Sequence, residues 1–303
     1  MNTDTAGPRN AAPDNLDRLR AAPIRRRRRT DRGMTLLLAL IMALVVAVLV
    51  WVIGYVAVQG LKFLGPKFFT QTPPGDPSQF GGGFLNGILG SLIIVGIATA
   101  IAVPAGVAAA VHINEYGGRM ARTASFLTDV LVGVPTIVTG AFVYSLVVIK
   151  FGFSGYAGGL ALGLIMLPLV IRATAEMLRL VPSDLKEASL ALGVSKARTI
   201  WSIVLPTASA GIITGTMLAI ARAMGETAPL LLTALGNDLF VETNPGHRMS
   251  TLSLQIFGNA ITGFRAAVNR AWAGALTLVG LVLIFTVIAR LIARRNPIAR
   301  RSS

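Results

Sequence analysis

The strongest constraint on this chain is a series of six apolar runs, near residues 34–58, 88–111, 124–149, 157–178, 208–235 and 271–293, separated by short charged or glycine-rich stretches. At 1.5 Å per residue, about 20 residues in a helix cross a hydrocarbon core of ~30 Å. Each run meets that length. Lipid offers no partner for backbone N–H and C=O groups, so a spanning segment closes its own hydrogen bonds as a helix. Pro104, Gly106, Pro135 and Pro168 fall inside the runs and require neighbouring helices to compensate for them. The expectation is an all-α membrane protein built as a bundle of six transmembrane helices.

Composition agrees and removes other classes. Of 303 residues, 53% are hydrophobic and 14% charged, unlike a water-soluble domain. There is no cysteine, which excludes disulfides, thiolate metal sites and a cysteine nucleophile. His112 and His247 are the two histidines, too few to support a zinc site. A net charge of +15 invites a nucleic-acid reading, but the basic residues lie between apolar runs and in the tails, without interleaved aromatics. No nucleic-acid partner is expected; membrane lipid is.

Residues 1–33 are rich in Ala, Pro, Asp and Arg, end in Arg25–Arg29 and Arg32, and lack apolar periodicity. They read as a disordered, arginine-rich tail. The run after them is longer than a signal-peptide core and reads as a retained helix. Residues 34–293 then form the membrane domain and 294–303 a basic tail. Counting Lys and Arg on alternate sides places 20 with the two tails and the 112–124 and 179–206 loops, against six on the opposite side. By the positive-inside rule both termini of this multi-pass membrane protein are expected in the cytoplasm.

The cytoplasmic loop 182–206 has helical apolar spacing through Leu185, Ala188 and Leu192 and again through Ile200, Ile203 and Val204. Pro182 and Ser183 start one short helix, Gly193 breaks it, and Pro206 opens the next span. Glu187, Ala188, Ser189, Gly193, Ile203, Leu205 and Pro206 carry the spacing Glu-Ala-Ala, three residues, Gly, nine residues, Ile, one residue, Leu-Pro, with Ser189 for the third small residue. This loop resembles the signature of permeases from ATP-binding-cassette (ABC) importers, of the type I, MetI-like architecture. The resemblance implies a coupling helix that docks in a groove of an ATPase subunit, with Ala188 and Ser189 allowing close approach and Glu187 anchoring. An amphipathic helix lying on lipid headgroups is the alternative. No Gly-x-x-x-x-Gly-Lys-Ser/Thr run occurs, so a phosphate cradle for ATP is missing and the chain is not expected to be an enzyme itself. No cofactor is expected in this chain; ATP and Mg belong to the implied partner ATPase.

Arg222 and Glu226 lie inside the fifth run, where each ionised group at mid-bilayer costs roughly 2.5 to 3.5 kcal/mol. Four-residue spacing puts them on one helical face, although with Arg first, the weaker order for a mutual pair. Gly225 and Pro229 weaken the helix around them. Arg172 and Glu176 repeat the Arg-x-x-x-Glu pattern in the fourth run. A guanidinium matches an oxyanion two oxygens at a time, and a carboxylate orients the arginine or accepts a proton from a protonated phosphate. Structural pairing of Arg222 with Glu226, snorkelling of Arg172 and hydration of Glu176 are the alternatives. Asp129 and His112 read as hydrated or interfacial groups.

The stretch Ala221-Arg-Ala-Met-Gly-Glu-Thr-Ala-Pro-Leu230 resembles the characteristic segment of phosphate-importer permeases, the PstA and PstC pair, and the lack of a large extracellular insertion favours the PstA type. The resemblance implies a substrate path containing Arg222, Glu226, Thr227, Arg172 and Glu176. It also implies a second permease of PstC type, an ATPase homodimer of PstB type and an extracytoplasmic phosphate-binding protein of PstS type. A permease for sulfate or molybdate, or a self-sufficient secondary anion transporter, are the rival readings. An intramembrane enzyme finds no catalytic arrangement in any run.

Overall fold

A computed structural model describes residues 15–294. The chain divides into two units at Tyr55 and Val56. The first contains most of helix α1 (Asn15–Leu61), whose apolar part is long enough to cross a membrane. The helix starts at Asn15, so its backbone passes through residues that were expected to lack regular structure. Once the apolar run has nucleated a helix, each further residue adds a hydrogen bond at little cost. The rest of the expected tail, residues 1–14, lies outside the described residues, as does most of the basic tail, 295–303.

The second unit holds the short α2 (Pro66–Thr70) and the long α3 (Leu85–Val111), which runs on through a π turn at His112–Tyr116. Helix α4 (Gly118–Gly133) and helix α5 (Thr136–Val143) follow. A second π turn, Tyr144–Val148, leads from α5 into α6 (Ile149–Phe151). Then come α7 (Gly155–Arg179), α8 (Ser183–Ala191) and α9 (Lys196–Thr199). The chain finishes with α10 (Leu205–Gly225), α11 (Ala228–Thr233), α12 (Leu252–Ala260) and α13 (Arg265–Arg294). Among the described residues five helices are long and apolar enough to span, or six if the bent pair α4 and α5–α6 counts as one. No named strand occurs among them; the sole β pairing is an isolated bridge between Leu235 and Met249.

Helix α7 is the central member, packed along α3 and α10. The α3–α7 contact is close because glycines remove side chains: a Cβ on Gly106 would lie 2.7 Å from Val170 Cγ1. Small residues take this place at helix contacts in lipid, where no difference in polarity drives association. Ile94, Ala98, Leu162, Met166, Val170, Ala219 and Ala223 fill the shared core.

Two expected spans differ from the observed ones, and proline explains both. The third is broken by 105° between Gly133 and Thr136. Pro135 disfavours helical backbone at the residue before it, and Val134 is extended at φ −73° and ψ 126°. The fifth, expected over 208–235, begins at Lys196 and stops at Gly225, where Glu226 turns extended at φ −72° and ψ 131°. A continued helix would press the Pro229 ring against the carbonyl four residues earlier, that of Gly225. Pro206 poses the same problem within the continuous stretch, and the π turn Ile200–Val204 just ahead of it absorbs the misfit.

Candidate functional site

The helix break after Gly225 sets the first cluster. Arg222 occupies the last turn of α10 and Glu226 caps it, with Arg222 Nε 3.6 Å from Glu226 Oε1. Their surroundings differ: the Arg222 side chain is 59% exposed and that of Glu226 16%. At 3.6 Å the pair is an ion contact rather than a short hydrogen bond, so the guanidinium retains donors for another acceptor. Glu226 is anchored through its backbone, whose carbonyl accepts from Ser253 Oγ at 2.8 Å. Thr227 is half-buried at the start of α11, and its carbonyl accepts from the N–H groups of Leu230 and Leu231.

Arg222 faces a cleft of about 310 Å³. The kink of α4 and α5 supplies Leu131, Val134, Thr139 and Phe142, while α7 supplies Ile165 and Pro168. Arg222 is the one charged residue in this lining. Helix α11 closes against α5 because Gly140 has no side chain; a Cβ there would meet Pro229 Cα at 2.6 Å.

Arg172 and Glu176 do not copy the Arg222–Glu226 arrangement. Arg172 Nη2 reaches across to Asp129 Oδ1 on α4 at 2.7 Å, and Glu176 Oε1 accepts from Arg179 at 3.1 Å. Asp129, read from sequence as a merely hydrated carboxylate, is therefore the partner of a candidate path arginine. The reason is tertiary: α4 packs on α7 and brings together residues 43 positions apart.

The 182–206 loop is a compact hairpin. Helix α8 ends in a left-handed turn at Gly193, φ +78°, where the N–H groups of Leu192, Gly193 and Val194 close back on Ala188, Leu190 and Ser189. A side chain is rarely tolerated at such a φ, which accounts for glycine in the signature. Glu187 and Ala188 are exposed, as are Leu185 and Leu192. Ser189 departs from the expected role in close approach. It is 4% exposed and its hydroxyl shares a hydrogen bond of 2.8 Å with Thr199. The small residue is needed to close the hairpin on α9. Ile203, Leu205 and Pro206 are half-buried where the hairpin enters α10.

A third cluster, at the end of α10 away from α8, was not read from the sequence. Gln255 Nε2 donates to Asn86 Oδ1 and Asp238 Oδ1, Ser250 Oγ to Asp238, and Asn86 Nδ2 to the Asn237 carbonyl. Arg270, counted only as a loop charge, is 5% exposed and caps the carbonyls of Pro77 and Gln79. The Ser250, Thr251, Ser253, Gln255 and Asn259 series was a readable signal for it, since hydroxyl and amide side chains that become buried need internal partners.

No group of three or more metal-ligating side chains occurs among the described residues. Spanning helices around an apolar cleft that holds one arginine, with an exposed hairpin between two of them, fit a membrane permease. Residues 102–296 match the family described as binding-protein-dependent transport system inner membrane component, and the chain belongs to it. Among its relatives, the "Phosphate transport system permease protein PstA" of Yersinia pestis is 42% identical, with 80% of this chain and 82% of that protein covered. The "Phosphate transport system permease protein PstA 1" of Mycobacterium tuberculosis (strain CDC 1551 / Oshkosh) is 46% identical over 71% of this chain and 72% of its own. The fold is shared with a chain from a solved structure of the MetNI methionine ABC transporter in inward-facing conformations. That match has a TM-score of 0.54 at 18% identity and covers 70% of this chain and 94% of that one.

Proposed function

We propose that this chain is the PstA-type permease of an ATP-driven importer of inorganic phosphate. The observation that carries the reading is the placement of Arg222: an exposed guanidinium in an otherwise uncharged cleft, loosely held by Glu226 at a helix break. A permanent cation in an apolar wall is costly unless an anion or a partner compensates it, and the relatives named for phosphate transport supply the anion. Glu226 orients the guanidinium and tests for a proton that a hydrogen-bearing phosphate can donate, with Thr227 beside it. Arg172, with Asp129 as its resting counter-ion, extends the path toward the cytoplasm.

Both termini are cytoplasmic in this reading, as is the α8–α9 hairpin. A PstC-type permease completes the path across a pseudo-two-fold axis, because one copy leaves Arg222 and the cleft open on one side. Glu187, Ala188, Leu185 and Leu192 form the face offered to a PstB-type ATPase homodimer, which binds ATP and Mg. A PstS-type binding protein delivers phosphate to the opposite side. ATP-driven closure moves the hairpin and turns the cleft outward; hydrolysis resets it.

The test is uptake of labelled anions by the reconstituted complex. Phosphate should be taken up with ATP and binding protein present, arsenate should compete, and sulfate and molybdate should not. Uptake of sulfate or molybdate in preference to phosphate would assign the same architecture to another oxyanion.

A further inference from the structure

Glu115 carries a buried carboxylate with no place in the anion path, and its neighbours lead to the coupling hairpin. It belongs to the π turn His112–Tyr116 that continues α3. The turn touches three other elements. Asn114 Nδ2 donates to the carbonyl of Ala175 at 2.8 Å, and Asn114 Oδ1 accepts from Arg179 Nε at 3.4 Å. Ala175 immediately precedes Glu176 and lies three residues after Arg172, so Asn114 grips the turn of α7 that bears both charges. Glu115, with a side chain 8% exposed, accepts from Lys186 Nζ of α8. Lys196, at the start of α9, lies 5.0 Å from the centre of the Tyr116 ring.

The chain itself joins α7 to α8 only through Leu180, Val181 and Pro182. A single short joint lets a helix swing without dragging its neighbour. A second attachment away from the joint removes that freedom, because two fixed points pass on both pull and rotation. Lys186 is such a point, one turn into α8. The Ser189–Thr199 bond does not replace it, since it ties α8 to α9 and not to α7.

We propose that Glu115 and Asn114 form the transmission between the ATPase-facing hairpin and the α7 side of the anion path. Displacement of α8 passes through the Lys186–Glu115 ion pair into the π turn, and Asn114 hands it to the α7 turn carrying Arg172 and Glu176. Both are positioning residues that act through other groups and do not touch the anion. The inference rests on the reading of the α8 face as the ATPase contact. Without the clamp, α8 follows the ATPase and α10 is moved through α9, but the α7 turn carrying Arg172 and Glu176 stays behind, and ATP is hydrolysed without transport.

The experiment uses the complete complex in liposomes, with permease partner, ATPase and binding protein, and measures labelled phosphate imported per ADP formed. Substitutions E115Q and K186M should each lower that ratio about tenfold, within the range seen for residues on a coupling network, while the ATPase still co-purifies. N114A should do the same from the other side of the clamp. The charge-swapped E115K/K186E double variant should return the ratio to within about threefold of wild type, which a general loss of packing would not allow. An unchanged ratio in E115Q, loss of the ATPase from the single variants, or a double variant as defective as either single one would each overturn the proposal. If the wild-type complex imports no phosphate, the parent reading fails first, and the transmission falls with it.

Discussion

Arg172 pairs across the bundle with Asp129, 2.7 Å away, and not with Glu176 one turn further along its own helix. Both side chains are more than half exposed, so the attachment is exchangeable: exposed ion pairs are worth ~0.2–1 kcal/mol. In the proposed path Asp129 competes with an incoming anion for Arg172. D129N should lower the KM for phosphate uptake by up to about fivefold, the largest factor that follows from releasing such a pair. R172Q should raise it. Uptake kinetics in proteoliposomes read both, and a KM that stays put in D129N would remove Asp129 from the path.

The closure of α11 on α5 depends on the missing side chain at Gly140, where a Cβ would meet the backbone of buried Pro229 at 2.6 Å. G140A should destabilise the purified chain by about 1–3 kcal/mol, the usual cost of overpacking. A lowered melting temperature in detergent would register it. G133A is the control, because nothing lies within 4 Å of a Cβ at Gly133. Equal melting temperatures for G140A and wild type would show that α11 moves aside freely.

In the proposed coupling role, Ser189 and Glu187 of the signature have separate tasks. S189A removes a buried hydrogen bond with Thr199, which should cost ~1 kcal/mol and lower the melting temperature, yet leave ATPase co-purification intact. E187K alters an exposed position, so it should leave the melting temperature unchanged and release the ATPase. The reverse pattern would exchange the two assignments.

Much of this was legible before the structure. The Glu187–Pro206 spacing located the hairpin, and Arg222 with Glu226 stood out because ionisable groups inside apolar runs are expensive. What stayed hidden depends on tertiary placement. Hydropathy runs unbroken through Pro135, so a 105° bend looked like one straight span. Asp129 and Arg172 meet across 43 residues, and Gln255 and Asn86 across 169, separations that no local period reveals. Ala188 and Ser189 are both small, and only the position of Thr199 decides which one turns inward.

The loop from Asn237 to Ser250 carries a pH-sensitive fastening. Glu242 accepts from the Asn244 N–H at 2.8 Å and lies 2.8 Å from His247 Nδ1; these bonds, the Asn244 one foremost, hold its carboxyl below the ordinary value of 4.5. A depressed folded-state value means that the stabilisation is fully present above about pH 4.5 and is lost as the pH falls through the lower folded value. The amide protection factor at Asn244 should therefore drop at acid pH. In E242Q it should be low and independent of pH; protection that is identical in both proteins would contradict the fastening.

Under the proposed function, Arg222 serves the anion and not the assembly. Phosphate uptake by the complete complex carrying R222Q tests it most directly, with subunit co-purification and ATPase activity measured on the same preparation. Uptake should be lost while all subunits remain together. Wild-type uptake in R222Q, or a complex that falls apart, would contradict it.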